Sequence, residues 1–97
     1  MARYISLLNW TEQGVRNAKE TVKRAEAARQ AFQKGGGKIT DIYWTLGQYD
    51  VVVIFEAPDS ESAYRLLMAI GIQGNVKSVT LQALDEKEMA KVIQGVG

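Results

Sequence analysis

The amino-acid sequence predicts an α+β protein with a four-stranded antiparallel sheet, two long helices and a short C-terminal helix. Three observations lead to this fold class. Short β-branched segments alternate with segments of helical periodicity in the order βαββαβ. The most apolar segment, Val51–Glu56, directly follows a predicted tight turn at Gly47–Asp50, which indicates a hairpin. The first and third strands are apolar on both faces, which is typical of interior strands.

The first strand is predicted at Arg3–Trp10, and a long helix follows it with Thr11 as the N-cap. Three glycines at Gly35–Gly37 end this helix, since glycine readily adopts the left-handed conformation of a C-cap. Apolar side chains recur at steps of three and four and form one stripe: Val15, Ala18, Val22, Ala25, Ala28 and Phe32. We interpret the charged opposite face as solvated, with ion pairs Glu12–Arg16 and Glu20–Arg24; it consists of Arg16, Lys19, Glu20, Lys23 and Arg24.

The second half of the chain repeats the pattern with shorter elements. The second strand is predicted at Lys38–Leu46, with two faces: Ile42, Trp44 and Leu46 on one, and Ile39, Asp41, Tyr43 and Thr45 on the other. Asp59 or Ser60 caps a second helix with an apolar stripe of Ala63, Leu66, Leu67 and Ile70. A fourth strand is predicted at Val76–Leu84, with one polar face that suits an edge. Asp85 and Glu88 then form a capping arrangement for the last helix.

Right-handed crossovers place strands one and three in the centre of the sheet and strands two and four at its edges, which is the ferredoxin-like split βαβ arrangement. Both long helices then cover the same face. The other face is also apolar, because Val52 and Ile54 alternate with Val51, Val53 and Phe55 along the central strand. Apolar surface of this extent favours a partner, and we expect a homodimer, or a higher homo-oligomer, formed through the open sheet face.

Composition excludes several classes of function. The 97 residues predict a single domain, 1–97, and the net charge of +1 argues against a nucleic-acid surface. The chain has no cysteine and no histidine, so we expect no metal site and no cofactor. No apolar run approaches the roughly 20 residues that span a bilayer, so we expect no membrane partner and a cytoplasmic protein.

Gly47, Tyr49 and Asp50 stand in the order Gly-x-Tyr-Asp between two predicted strands. This arrangement resembles the signature of the GYD domain family, and the opening strand that ends Asn9-Trp10-Thr11, with its helix, is similar to that family too. The resemblance covers nearly the whole chain. It implies a dimeric α+β barrel of ferredoxin-like subunits and a family largely without an assigned activity. The wider group includes haem-degrading and quinol monooxygenases, and the histidines that many of those enzymes use are absent here.

Aromatic side chains and one carboxylate gather at the strand ends and predict a ligand pocket between the sheet and its covering elements, near Trp10, Tyr43, Trp44, Tyr49 and Asp50. Each has a purely structural alternative: the rings fill an interface, and Asp50 caps the turn. Gly47 is interpreted as a positive-φ turn residue. These features favour a small oligomeric module that binds a small, largely apolar metabolite. The alternatives are a cofactor-free enzyme of the monooxygenase or isomerase type, using Tyr and Asp, and a structural or interaction module.

Overall fold

The computed structural model describes residues 1–97 and contains one sheet and four α-helices. In chain order the elements are β1 (Ala2–Trp10), α1 (Glu12–Arg16), α2 (Thr21–Lys34), β2 (Lys38–Trp44), β3 (Val51–Ala57), α3 (Ser60–Ile72), β4 (Val76–Ala83) and α4 (Glu86–Gln94). The strand order is β2-β3-β1-β4 and every neighbouring pair is antiparallel. This order confirms the predicted ferredoxin-like α+β fold, with β1 and β3 in the centre.

The core lies between the sheet and the helices α2 and α3. Its centre is Phe55 on β3, which is fully buried, stacks on Tyr4 at 5.2 Å between ring centroids and meets Phe32 edge-to-face at 5.0 Å. Aromatic pairs in these two arrangements are favourable beyond the area that they bury. The remaining core residues are Ile39, Ala57, Ala63 and Leu66.

Two helix boundaries follow the predicted capping residues. Asp59 accepts a hydrogen bond from the Ser62 backbone N–H at 2.7 Å and begins α3. Asp85 and Glu88 form a complete capping box at α4, with hydrogen bonds of 2.8 and 2.9 Å. The helix α2 ends at Lys34 as expected, and Gly36 takes the left-handed conformation at φ +87°.

The backbone N–H of Ser62 holds the pKa of Asp59 below its ordinary value of 3.8, and the backbone N–H of Glu88 lowers the pKa of Asp85 in the same way. Each cap therefore stabilises the fold fully above pH 3.8, and this stabilisation is lost as the pH falls through the lower folded-state pKa. We expect the double variant Asp59→Asn, Asp85→Asn, which keeps the caps but cannot titrate, to lose less stability in acid than the wild type. Urea unfolding across this pH range measures the difference, and equal losses would contradict the assignment.

The prediction of one long first helix is wrong, because the structure has two helices, α1 and α2, with an interruption between them. The helix α1 ends at Arg16 with Asn17 as its C-cap, a 3₁₀ turn follows at Ala18–Glu20, and α2 begins at Thr21. The interruption has a cause in packing, since α1 is attached to the turn before β4, whereas α2 lies along β2. Val15 and Val22, two members of the predicted apolar stripe, are 59% and 67% exposed and do not belong to the core.

The strand β2 and the loop after it also differ from the prediction. A bulge at Thr40 places Ile39 opposite Phe55 and Asp41 opposite Ile54, so Ile39 enters the core instead of sharing a face with Asp41. The strand ends at Trp44, and the connection is a six-residue loop, 45–50, rather than a tight turn. The Thr45 backbone N–H donates to the Asp50 carbonyl at 2.8 Å and closes this loop, which leaves Leu46 fully exposed.

The open face, which is the face of the sheet opposite α2 and α3, is strongly apolar. At its centre Ile5 and Leu7 on β1 lie between aliphatic neighbours on β3 and β4. Its apolar members are Ile5, Leu7, Tyr43, Val52, Ile54, Val79 and Leu81. The strand β4 turns its polar residues toward the helices, so Val79 and Leu81 are about half exposed, at 52% and 50%. No element of the chain packs over the centre of this face.

Candidate binding cleft

A cleft of about 200 Å³ lies between the sheet and the two helices α2 and α3. Its floor consists of β1 and β3 residues, including Leu8, Val51 and Val53, and its walls are the facing sides of the two helices. Eighteen of its 25 lining residues are hydrophobic. A cleft with this lining favours an apolar molecule over water.

The α2 wall of the cleft consists largely of small side chains. Ala25, Ala28 and Ala31 line it from α2, whereas α3 contributes larger side chains, including Leu66 and Ile70. Alanine side chains occupy little volume, so α2 leaves space that larger side chains would fill. The Ala-rich composition of α2 is the sequence signal of this feature, although periodicity alone indicates only that those alanines belong to the core.

Both tryptophans of the chain line one end of the cleft. Trp10 ends β1, Trp44 ends β2, and both point to the helix side of the sheet. The indole N–H of Trp44 donates to the Thr21 hydroxyl at 3.0 Å, which attaches the first turn of α2 to the end of β2. The tryptophans therefore provide two apolar ring surfaces and an intrinsic fluorescence signal at the same site.

The floor of the cleft contains one buried polar pair. The Ser6 side chain is only 2% exposed, and its hydroxyl lies 2.7 Å from the Thr80 hydroxyl in a cross-strand pair. Each hydroxyl satisfies the other, so Ser6 can be buried at little cost.

Arg24 is the single charged side chain in the lining. Its guanidinium donates to the Asn17 carbonyl at 2.7 Å and has no carboxylate partner. The predicted Glu20–Arg24 ion pair is wrong, because the helix interruption places Glu20 at the N-cap of α2, where it pairs with Lys23 at 3.6 Å. The predicted Glu12–Arg16 pair is present at 3.2 Å. Arg24 lies one helical turn before Ala28 within α2, so its predicted place on the solvated face is wrong.

Asp50 connects the β2–β3 loop to the end of β1. Its carboxylate accepts a hydrogen bond from the Trp10 backbone N–H at 2.9 Å, and the side chain of Asn9 approaches the same oxygen at 3.4 Å. Asn9 also donates to the Gln48 carbonyl at 2.8 Å. The carboxylate therefore acts as a cap, although it caps the neighbouring strand rather than its own turn.

The predicted site residues occupy three places. Trp10 and Trp44 line the cleft, whereas Asp50 contacts the backbone of Trp10 and does not line the cleft. Tyr49 belongs to the loop, where its carbonyl accepts a hydrogen bond from the Thr45 hydroxyl at 2.6 Å. Tyr43 is on the open face. The cleft thus brings together only the two tryptophans of the predicted set, and it adds Arg24, Ser6 and the alanines of α2.

Replacing Asp50 with alanine is expected to lower the free energy of unfolding by about 1–2 kcal/mol, because the Trp10 N–H loses a charged acceptor. Asp50→Asn keeps an oxygen acceptor and should lose clearly less. Urea midpoints measure both variants. Equal stability of Asp50→Ala and the wild type would show that the hydrogen bond to Trp10 contributes nothing.

Clusters of acidic side chains can bind a metal ion, and long apolar helices can span a membrane. No three Asp or Glu side chains come together in a group that could hold a metal ion. None of the helices is long and apolar enough to cross a membrane.

The sequence matches the GYD domain family over residues 4–93. The chain belongs to the GYD domain family. In this GYD domain Gly47 and Asp50 of the Gly-x-Tyr-Asp sequence shape the loop between β2 and β3. Gly47 has φ +137°, which confirms the predicted positive φ, and Asp50 fixes the loop to β1.

One curated relative of this GYD domain is a protein of Thermus thermophilus named "Glutamine synthetase and cystathionine beta-lyase binding protein". The two sequences are 28% identical over 85 residues, which cover 87% of this chain and 90% of the relative. The relative's name describes a protein that binds other proteins.

Proposed function

We propose that this GYD domain is a binding module that holds a small, largely apolar ligand in the cleft between the sheet and the helices α2 and α3. The observation that carries the proposal is the cleft itself, with about 200 Å³ of space and a mainly apolar lining. An apolar cavity of roughly 150 Å³ is enough to bind benzene. The cleft therefore suits one aromatic ring with a short chain, or an aliphatic chain of similar volume.

The chemistry of the lining supports binding over catalysis. General acid–base catalysis needs a group that exchanges a proton near neutral pH, and the lining contains no carboxylate, phenol, imidazole or thiol. Its single charged group is the Arg24 guanidinium, which carries hydrogen-bond donors and no acceptor. Tyr49 and Asp50, the candidates for a cofactor-free enzyme, do not line the cleft.

The test uses 3-phenylpropionamide, a neutral ligand with one ring, and follows the fluorescence and indole N–H NMR signals of Trp10 and Trp44. We expect saturable changes in both tryptophans. Ala28→Leu places a larger side chain in the cleft and should weaken binding at least about five-fold while leaving the fold stable or more stable. The control is Ala90→Leu on α4, away from the cleft. Absence of saturable binding, together with no small molecule retained in native mass spectrometry, would overturn the proposal.

Self-association through the open face is the second part of the proposal. An uncovered sheet face with seven apolar side chains, three of them half exposed or more, is unusual for a monomer. A second copy presents the same surface, so two open faces can cover each other about a two-fold axis. The resulting homodimer leaves both clefts on its outer layers.

A protein partner is a second candidate function, which the relative's name and one feature of α4 favour. The apolar stripe of α4, formed by Met89, Val92 and Ile93, is about half exposed. Exposed stripes of this kind mark surfaces that bind other proteins. Co-elution of the chain with purified glutamine synthetase or cystathionine β-lyase tests this candidate. Val92→Lys should weaken such a complex, and failure to co-elute with either enzyme would reject both as partners.

A further inference from the structure

We propose that the ligand of the cleft is an anion: an apolar body that carries one carboxylate, which Arg24 binds. This inference rests on the proposed ligand-binding function and names the chemical class of the ligand. It comes from the position of Arg24 and from the partners that its guanidinium has and lacks.

Arg24 differs from every other arginine of the chain. Arg3, Arg16, Arg29 and Arg65 each contact a carboxylate within 4.0 Å. Arg24 contacts only a backbone carbonyl, that of Asn17, and this hydrogen bond uses one N–H of the five that a guanidinium carries. Arg24 as a residue is partly exposed and its hydrogen bond to Asn17 is solvent-exposed, so the guanidinium lies at the rim of the cleft. Its remaining N–H donors have no protein acceptor and are free to bind the carboxylate of a ligand whose apolar part enters the cleft.

The surroundings of Arg24 determine what the rest of the ligand must be. Thr21 and Arg24 lie one helical turn apart on the cleft side of α2. The Thr21 hydroxyl accepts a hydrogen bond from the indole N–H of Trp44. The charge therefore lies at the tryptophan end of the cleft. Beyond it, Ala28 and Phe32 continue the wall toward the aromatic core, and no second charge follows. The lining thus matches a molecule with one anionic end and an apolar remainder.

A single planar guanidinium suits a carboxylate, because its N–H groups can bind the two oxygens in parallel. Groups of higher charge, such as a phosphate monoester, would leave charge unpaired in the apolar cleft. The inferred class is therefore the aryl- or alkyl-carboxylates with one ring or a short chain.

The test compares 3-phenylpropionate with its neutral isostere 3-phenylpropionamide, again through the signals of Trp10 and Trp44. We expect the wild type to bind the carboxylate at least about five-fold more tightly than the amide. Arg24→Gln should weaken carboxylate binding more than amide binding and so remove this preference, and Arg24→Lys should keep part of it. The matched control is Arg29→Gln on the same helix, where the guanidinium contacts Glu26 at 3.7 Å; it should keep the full preference.

Each outcome separates the two proposals. If the wild type binds both probes equally, the anionic class is overturned and the ligand-binding function stands. If Arg24→Gln loses both probes, Arg24 acts only on the structure of α2 through Asn17, and the inference is also overturned. If the wild type binds neither probe, the proposed function fails, and the inference fails with it.

Discussion

Replacing Val52 with lysine is expected to convert the proposed homodimer to a monomer. Val52 lies on β3 in the middle of the open face, paired with Leu7 on one side and Tyr43 on the other. If two open faces pack on each other, the new ammonium group has to be buried between apolar side chains, which is strongly unfavourable. We expect the dissociation constant of the dimer to rise at least about 100-fold, which corresponds to about 2.7 kcal/mol.

The matched control for this prediction is Val22→Lys, the same substitution at a residue of α2 that is 67% exposed and far from the open face. It should leave the dimer intact. Sedimentation velocity or light scattering over a range of concentrations measures the state of all three proteins, and circular dichroism verifies that they are folded. A wild type that remains monomeric at high concentration, or a Val52→Lys variant that remains dimeric, would refute association through this face.

Replacing Gly14 with alanine is expected to lower the free energy of unfolding by at least about 2 kcal/mol. A Cβ atom at this position would lie 2.0 Å from the carbonyl oxygen of Asn75, and the obstacle is backbone that cannot turn away. To make room, α1 has to move from the turn before β4. That movement breaks the hydrogen bonds from Thr11 to the Gly74 carbonyl at 2.6 Å and to the Asn75 carbonyl at 3.1 Å.

Gly71→Ala provides a control with the opposite sign. Gly71 is inside α3, its φ is not positive, and no atom lies within 4 Å of the position where a Cβ would be placed. Alanine there should raise stability by about 0.5–1 kcal/mol, because it restricts the unfolded chain and favours the helix. Urea midpoints of the two variants should therefore move in opposite directions. A neutral Gly14→Ala would show that α1 can move away from Asn75 at no cost in stability.

The topology of the fold could be predicted from the sequence, because the strongest sequence signals are local and agree with one another. The β-branched run of β3, the caps at Asp59 and Asp85 and the glycines after α2 each determine one element. With the elements in place, the rule of right-handed crossovers leaves few strand orders.

Other features could not be predicted, because they depend on packing between distant segments. The bulge at Thr40 and the interruption at Asn17 have no residue-type signal of their own, yet each changes which side chains face the core. Arg24 is a different case. It precedes Ala28 by four residues within α2, so helical spacing alone puts both on the cleft side, and only the charge of Arg24 favoured the solvated face. Trp10 and Trp44, by contrast, could be placed from the predicted strands alone, because each ends or nearly ends one.

The central position of β1 also determines when the sheet can be completed during synthesis. β1 is made first, but its neighbours are β3 and β4, and Arg3 pairs with Ala83. Contacts of such long sequence separation slow folding. Until β4 has been made, β1 is an edge strand with apolar faces and unpaired backbone groups, the kind of edge that pairs with other chains. A nascent chain that stops before Val76 should therefore aggregate, whereas one that continues through β4 closes this edge with its own residues.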